Sequence, residues 1–255
     1  MTGHRMAKPL AACSAAVVLT IATGSSAVAD GGTGSLPAQE IANKAHDALF
    51  GTSSLHINVR GRFGTRGTPT HMDLTLDRQA NCRGSLSLGS QGSVKIIKRG
   101  NKIWIKPDAA FWKNQVPGGS AAESVLDGRY LEGTKTDPPL QGIANICDLN
   151  SFLKSSTARA TSGDGPLTKG KAMKLHGVDV IPVSGVRGGR QEILSVAAHG
   201  KPYPVQVTVK ARDKTTLATV GFSDFDKPVP TSTPSPGQAV NISRLRTQVG
   251  PAGST

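Results

Sequence analysis

Leu55-His56-Ile57-Asn58-Val59 and Met72-Asp73-Leu74-Thr75-Leu76 alternate apolar with polar residues at a period of two. Successive side chains of a β-strand point to opposite faces, so each stretch presents one apolar face and one wet face. Both are read as half-buried antiparallel strands. Shorter runs follow at Gly84–Leu88, Val94–Lys98 and Lys102–Lys106. Arg99-Gly100-Asn101 supplies the tight turn between the last two, which makes the series a meander.

Outward from this block the pattern changes. Upstream, Ser35 is expected to cap a helix running to about Leu49, with Pro37 in its first turn and Ile41, Ala45, Ala48 and Leu49 on one apolar stripe. Downstream, Phe111–Ser156 breaks the alternation: Ala121–Leu126 reads as helical, Arg129–Glu132 as a short strand, and Asp148 as the cap of a helix holding Leu149, Phe152 and Leu153. Strands resume at Val178–Val183, Ile193–Ala198, Val205–Val209 and Thr216–Phe222, parted by Gly188-Gly189 and Gly200-Lys201-Pro202. The expected organisation is a signal peptide at 1–29, a flexible start at 30–34, one β-rich domain at 35–227, and a Pro/Ser-rich extended strap with a partly disordered end at 228–255.

The leader is read from the cationic Arg5 and Lys8, the apolar run Leu10–Ala22 and the small residues Ala27-Val28-Ala29, with cleavage after Ala29. Leu10-Ala11-Ala12-Cys13 has the composition of a lipobox, but the apolar core runs through and beyond Cys13, so lipid anchoring there is not expected. The location is extracytoplasmic, associated with the cell envelope. Removing Arg5 and Lys8 with the leader takes the formal charge from +13 to +11. Outside a cell such basicity attracts anionic membrane or wall surfaces. Nucleic acid is not expected as a partner, because the basic residues are scattered and the whole chain has 6 Phe, 2 Tyr and 2 Trp for stacking. Cys82 and Cys147 remain after the leader, in an oxidising compartment, and are expected to form one disulfide.

Motifs for chemistry fail on inspection. The loop from Gly165 to Ala172 has Ala where a phosphate-binding loop places the magnesium-holding Ser or Thr. Ser151-Phe152-Leu153-Lys154 has the S-x-x-K spacing of serine acyl-transferases, without their partner motifs. His46, His56, His71, His176 and His199 show no metal-ligand spacing, and no carboxylate pair lies in an apolar run. No enzyme activity, cofactor or metal is expected.

The chain resembles the LolA/LppX-like envelope carriers, LprG-type lipoproteins among them. The resemblance rests on Ser53-Ser54-Leu55-His56-Ile57, Gly100-Asn101-Lys102-Ile103-Trp104-Ile105-Lys106 with Phe111-Trp112, Gly177–Val183, Gly200-Lys201-Pro202-Tyr203-Pro204 and Phe222-Ser223-Asp224-Phe225. It implies an α+β fold: a strongly curved antiparallel β-sheet, a half-barrel of about ten strands, wrapped around a few short helices. It also implies a monomeric lipid or acyl-chain binding protein with an apolar cavity. Trp104, Phe111, Trp112, Leu126, Ile143, Phe152 and Leu153 are the candidates to line that cavity, or else simply pack together. Lys95, Lys98 and Arg99 are the candidates for a basic rim. The alternative is an interaction or sensor domain with the same fold, a filled core and no ligand.

Overall fold

The computed structural model describes residues 32–63, 68–160 and 164–249. The expected leader and the last residues of the expected tail lie outside them.

Helix α1 spans Ala38–Phe50 and begins later than expected, with Pro37 and not Ser35 at the N-cap. The proline ring disfavours helical backbone in the residue before it, and Leu36 is accordingly extended. Ser35 closes a single 3-10 turn instead, its Oγ donating to Gly32 O at 3.1 Å.

The first meander follows as β1 (Ser54–Phe63), β2 (Thr68–Asp77), β3 (Cys82–Ser87), β4 (Ser93–Arg99) and β5 (Lys102–Pro107). Two helices intervene, α2 (Ala109–Gln115) and α3 (Gly119–Leu126), before β6 (Tyr130–Thr134) returns to the sheet beside β5. Asp108 starts α2 by accepting from the Phe111 N–H at 2.8 Å, a cap the sequence reading missed. Next come α4 (Gln141–Ile146) and α5 (Leu149–Ala160), the latter capped by Asp148, which accepts from the Ser151 N–H at 3.2 Å.

The second meander comprises β7 (Thr168–Lys169), β8 (Met173–Leu175), β9 (Val178–Arg187), β10 (Arg190–Ala197), β11 (Pro204–Lys210) and β12 (Thr216–Ser223). The chain then crosses to β13 (Ala239–Asn241) and ends in α6 (Ile242–Val249). Pairing of β1 with β12 joins the two meanders into one curved, unclosed sheet of 13 strands among the described residues, in the order β13-β6-β5-β4-β3-β2-β1-β12-β11-β10-β9-β7, with β8 also on β9. All pairings are antiparallel except β13 with β6.

The link from β12 to β13 crosses the outer, convex face. Asp226 accepts from the Ser53 N–H at 2.7 Å and the Tyr203 hydroxyl at 2.7 Å, and Arg83 donates to Ser232 O at 2.9 Å. Arg83 alternates with the inward Cys82, so this bond puts the crossing on the outside of β3. The helices lie on the inner face, where α2, α3, α5 and α6 supply Trp112, Leu126, Leu149, Leu153, Ile242 and Leu245 to one core. Ile41 and Ala45 of α1 pack on Ile181, Val183 and Val196 of the second meander. The Cys82–Cys147 disulfide, Cα–Cα 5.4 Å, ties β3 to the α4–α5 junction.

Candidate functional site

Strand register sorts the inner face into three rows that differ in filling. The first, Ile103–Lys98–Cys82–Leu76–Leu55, runs across β5 to β1 and is buried throughout. The second, Leu131–Ile105–Ile96–Gly84–Leu74–Ile57–Phe222, spans β6 to β12. Its side chains are also buried. Gly84 is required there: a Cβ would lie 1.9 Å from Asp73 O and 2.9 Å from Leu74 Cα.

The third row runs one residue per strand across eight strands: Val94–Leu86–Met72–Val59–Val220–Val207–Leu194–Val183. Every member is apolar. Val94 and Val183 at its ends are buried, while the six between are only half-buried. With strands about 4.8 Å apart, those six make an apolar belt roughly 24 Å long that the helices leave partly uncovered.

The residues expected to line a cavity divide. Trp112, Leu126 and Leu153 belong to the packed core, and Phe111, Ile143 and Phe152 are half-buried against it. Phe152 stacks at an angle on Phe222, ring centroids 6.2 Å apart. Trp104 is placed elsewhere and is a correction. It alternates with the inward Ile103 and Ile105, so it faces outward, buried, with its indole N–H donating to Glu132 at 3.0 Å. The period of two over Lys102–Lys106 carries that signal in the sequence. The belt was missed because its residues recur once per strand and meet only through register.

Lys95, Lys98 and Arg99 form no common rim. Lys95 is exposed on the outer face, Lys98 points inward in the first row between Ile103 and Cys82, and Arg99 points outward with its Nε buried and without a hydrogen-bond partner among the described residues. Lys98 instead floors a polar cleft of about 460 Å³ lined by Gln79, Asn101, Lys135, Gln141, Asn145 and Asp148, among others. Burial holds its ammonium below the ordinary lysine range, and nearby Lys135 adds to the effect against the pull of Asp148. Burial pushes the Asp148 carboxyl up, but hydrogen bonds from Ser151 and Asn150, together with Lys98, outweigh it and leave the group below the usual carboxylate range.

On the exposed outer face, His56 bridges Ser223 at 3.1 Å and Asp73 at 3.0 Å. The three side chains come from the adjacent strands β12, β1 and β2. The Ser223 backbone N–H lies in the plane of the sheet, whereas an acyl group attacked by its Oγ would sit above that plane, so the ladder offers no oxyanion hole. Among the described residues no group of three or more potential metal ligands occurs, and no helix is long and apolar enough to cross a membrane.

Among solved structures the chain is similar to LprF from Mycobacterium bovis, at 14% identity over 78% of this chain and 97% of that one, with a TM-score of 0.54. It is also similar to the lipoprotein LppX from Mycobacterium tuberculosis, at 15% identity over 76% and 98%, with a TM-score of 0.48. No family model and no curated relative matches the chain. The fold is LolA/LppX-like, as the sequence resemblance implied.

Proposed function

We propose that this chain is a non-enzymatic, exported lipid-binding or carrier protein of the cell envelope, monomeric, and released by cleavage after Ala29. The acyl chain lies along the third row of the inner face. One observation supports this above the others: six half-buried apolar side chains, from Leu86 to Leu194, stand in line across six adjacent strands while the first and second rows, on one side of them, are filled. A flexible hydrocarbon chain suits such a belt because the belt offers length, no charge and no hydrogen-bonding demand. Covering about ten methylenes there would contribute roughly 8 kcal/mol before the association cost. The basic character draws the protein to anionic membrane or wall surfaces, where a chain can be exchanged.

Uptake of a fluorescent fatty acid by delipidated protein tests the reading, alongside mass spectrometry of the organic extract of the freshly purified protein. Saturable uptake at one chain per protein is expected. The filled first and second rows favour the competing reading, an interaction domain without a ligand. A protein that takes up no chain and releases none into the extract supports that alternative.

A further inference from the structure

We infer that the cleft floored by Lys98 is a separate binding site for a phosphate-type oxyanion borne on a small polar body. The floor carries the argument. Lys98 is 4% exposed, and among the described residues its ammonium makes a single hydrogen bond, to Ala80 O at 2.6 Å. An ammonium has three donors, and burying one with two donors unspent costs free energy that an anion would recover. Lys135, close enough to repel Lys98, brings a second positive charge to the same space, and its ammonium makes no hydrogen bond or ion pair among the described residues.

The walls suit a polar ligand. Gln79, Asn101, Gln141 and Asn145 present carboxamides to the cleft, and their side chains have no hydrogen-bond partner among the described residues. Asp148 attracts Lys98 but makes no ion pair with it among the described residues: its two oxygens accept from the Asn150 and Ser151 backbone N–H groups and from the Ser151 hydroxyl. The volume exceeds what a bare phosphate needs, leaving room for a hydroxylated body against the carboxamides. The walls are also held in place. Cys82 pairs with Lys98 in register, Cys147 precedes Asp148, and the disulfide joins the two sides.

This site does not depend on the acyl-chain reading. Along β4, Lys98 lies about 13 Å from Val94, the buried end of the third row, with the filled second row between them, so a single chain cannot run from the cleft to the belt.

Calorimetric titration of the purified protein with inorganic phosphate and with glycerol phosphate, and co-sedimentation with phosphatidylglycerol against phosphatidylcholine vesicles, test the inference. Lys135→Gln should weaken binding about tenfold, the loss of one hydrogen bond to a charged group. Asn145→Asp should weaken it further by setting a like charge against the ligand. Lys113→Gln, an exposed change on α2, should leave binding within twofold. Binding of the soluble phosphates that is sensitive to Lys135 supports a free ligand. Sensitivity to Lys135 with phosphatidylglycerol vesicles alone supports a lipid head group as the source. Absence of binding to every probe overturns the inference. So does equal weakening by Lys135→Gln and Lys113→Gln, and so does wild-type affinity in folded Asn145→Asp protein. Fatty acid uptake, measured on the same variants, reports on the belt separately.

Discussion

Changing Val59 and Val207 together to Thr exchanges one methyl for a hydroxyl at two points of the apolar belt while keeping the β-branched shape that strands favour. The two residues lie on β1 and β11 with β12 between them, about 10 Å apart, so the new hydroxyls cannot satisfy each other. In the free protein both positions are half-buried and the hydroxyls keep access to water. The folding cost is therefore about 1 kcal/mol for the pair, a fall in Tm of roughly 2–4 °C for a domain of this size. Beneath a bound acyl chain each hydroxyl loses water without gaining a partner, at about 1–3 kcal/mol apiece. Together they should weaken uptake of a fluorescent fatty acid by roughly 30-fold or more. Fluorescence titration of delipidated protein gives the affinity, and a thermal melt of the same sample gives the stability. Wild-type affinity in the folded double variant would refute the placement of the chain on this row. A fall in Tm beyond about 10 °C would refute the premise that the row is half-open. Phe152→Gln, half-buried, is expected to behave like the pair, whereas Leu153→Gln strikes a side chain that is 1% exposed and should chiefly unfold the protein.

Further outcomes follow from other parts of the fold. Reducing the disulfide should cost about 4 kcal/mol, the loop-closure entropy for cysteines 65 residues apart, and a reduced protein that melts within 2 °C of the oxidised form would contradict this. Asp226→Asn should lower the Tm at neutral pH, because that carboxylate accepts from the Ser53 N–H, Tyr203 and Thr52 and is held far below the usual carboxylate range. A depressed carboxylate stabilises the fold above its unfolded value of about 3.9, and the stability is lost as pH falls through the lower folded value. The gap between wild type and Asp226→Asn should thus be nearly full at pH 5 and shrink progressively below about pH 4; a gap that closes between pH 7 and 5 would point to another group. Gly84→Ala should prevent accumulation of folded protein, since its Cβ meets rigid backbone on β2, and normal yield with an unchanged Tm would refute the close approach seen there.

Much of the sheet is legible locally. Alternation at Leu55–Val59 and Met72–Leu76 reflects the pleat directly, and Arg99-Gly100-Asn101 marks a hairpin because Gly100 takes a positive φ there. The ten strands of five or more residues account for the count implied by the resemblance. The remaining three have two or three residues each, too short to leave a periodic signal. Helix α2 escaped because its seven residues show no stripe, and its start depends on the Asp108 cap. The position of α1 was shifted by the restriction that Pro37 places on the residue before it.

The sequence by itself determined which residues seek burial, where the ten longer strands form, and that Cys82 and Cys147 would meet, because these follow from periodicity, local propensity and the pairing of the two cysteines left after the expected leader. Only the tertiary structure decided what those faces do together. The belt exists because β1 pairs with β12, setting Val59 beside Val220 and joining two meanders that are far apart in the chain. The Lys98 cleft draws residues from four separate segments between Gln79 and Asp148, none of them distinctive alone. Register and long-range pairing depend on the whole hydrophobic surface closing at once, so no window of neighbouring residues contains them.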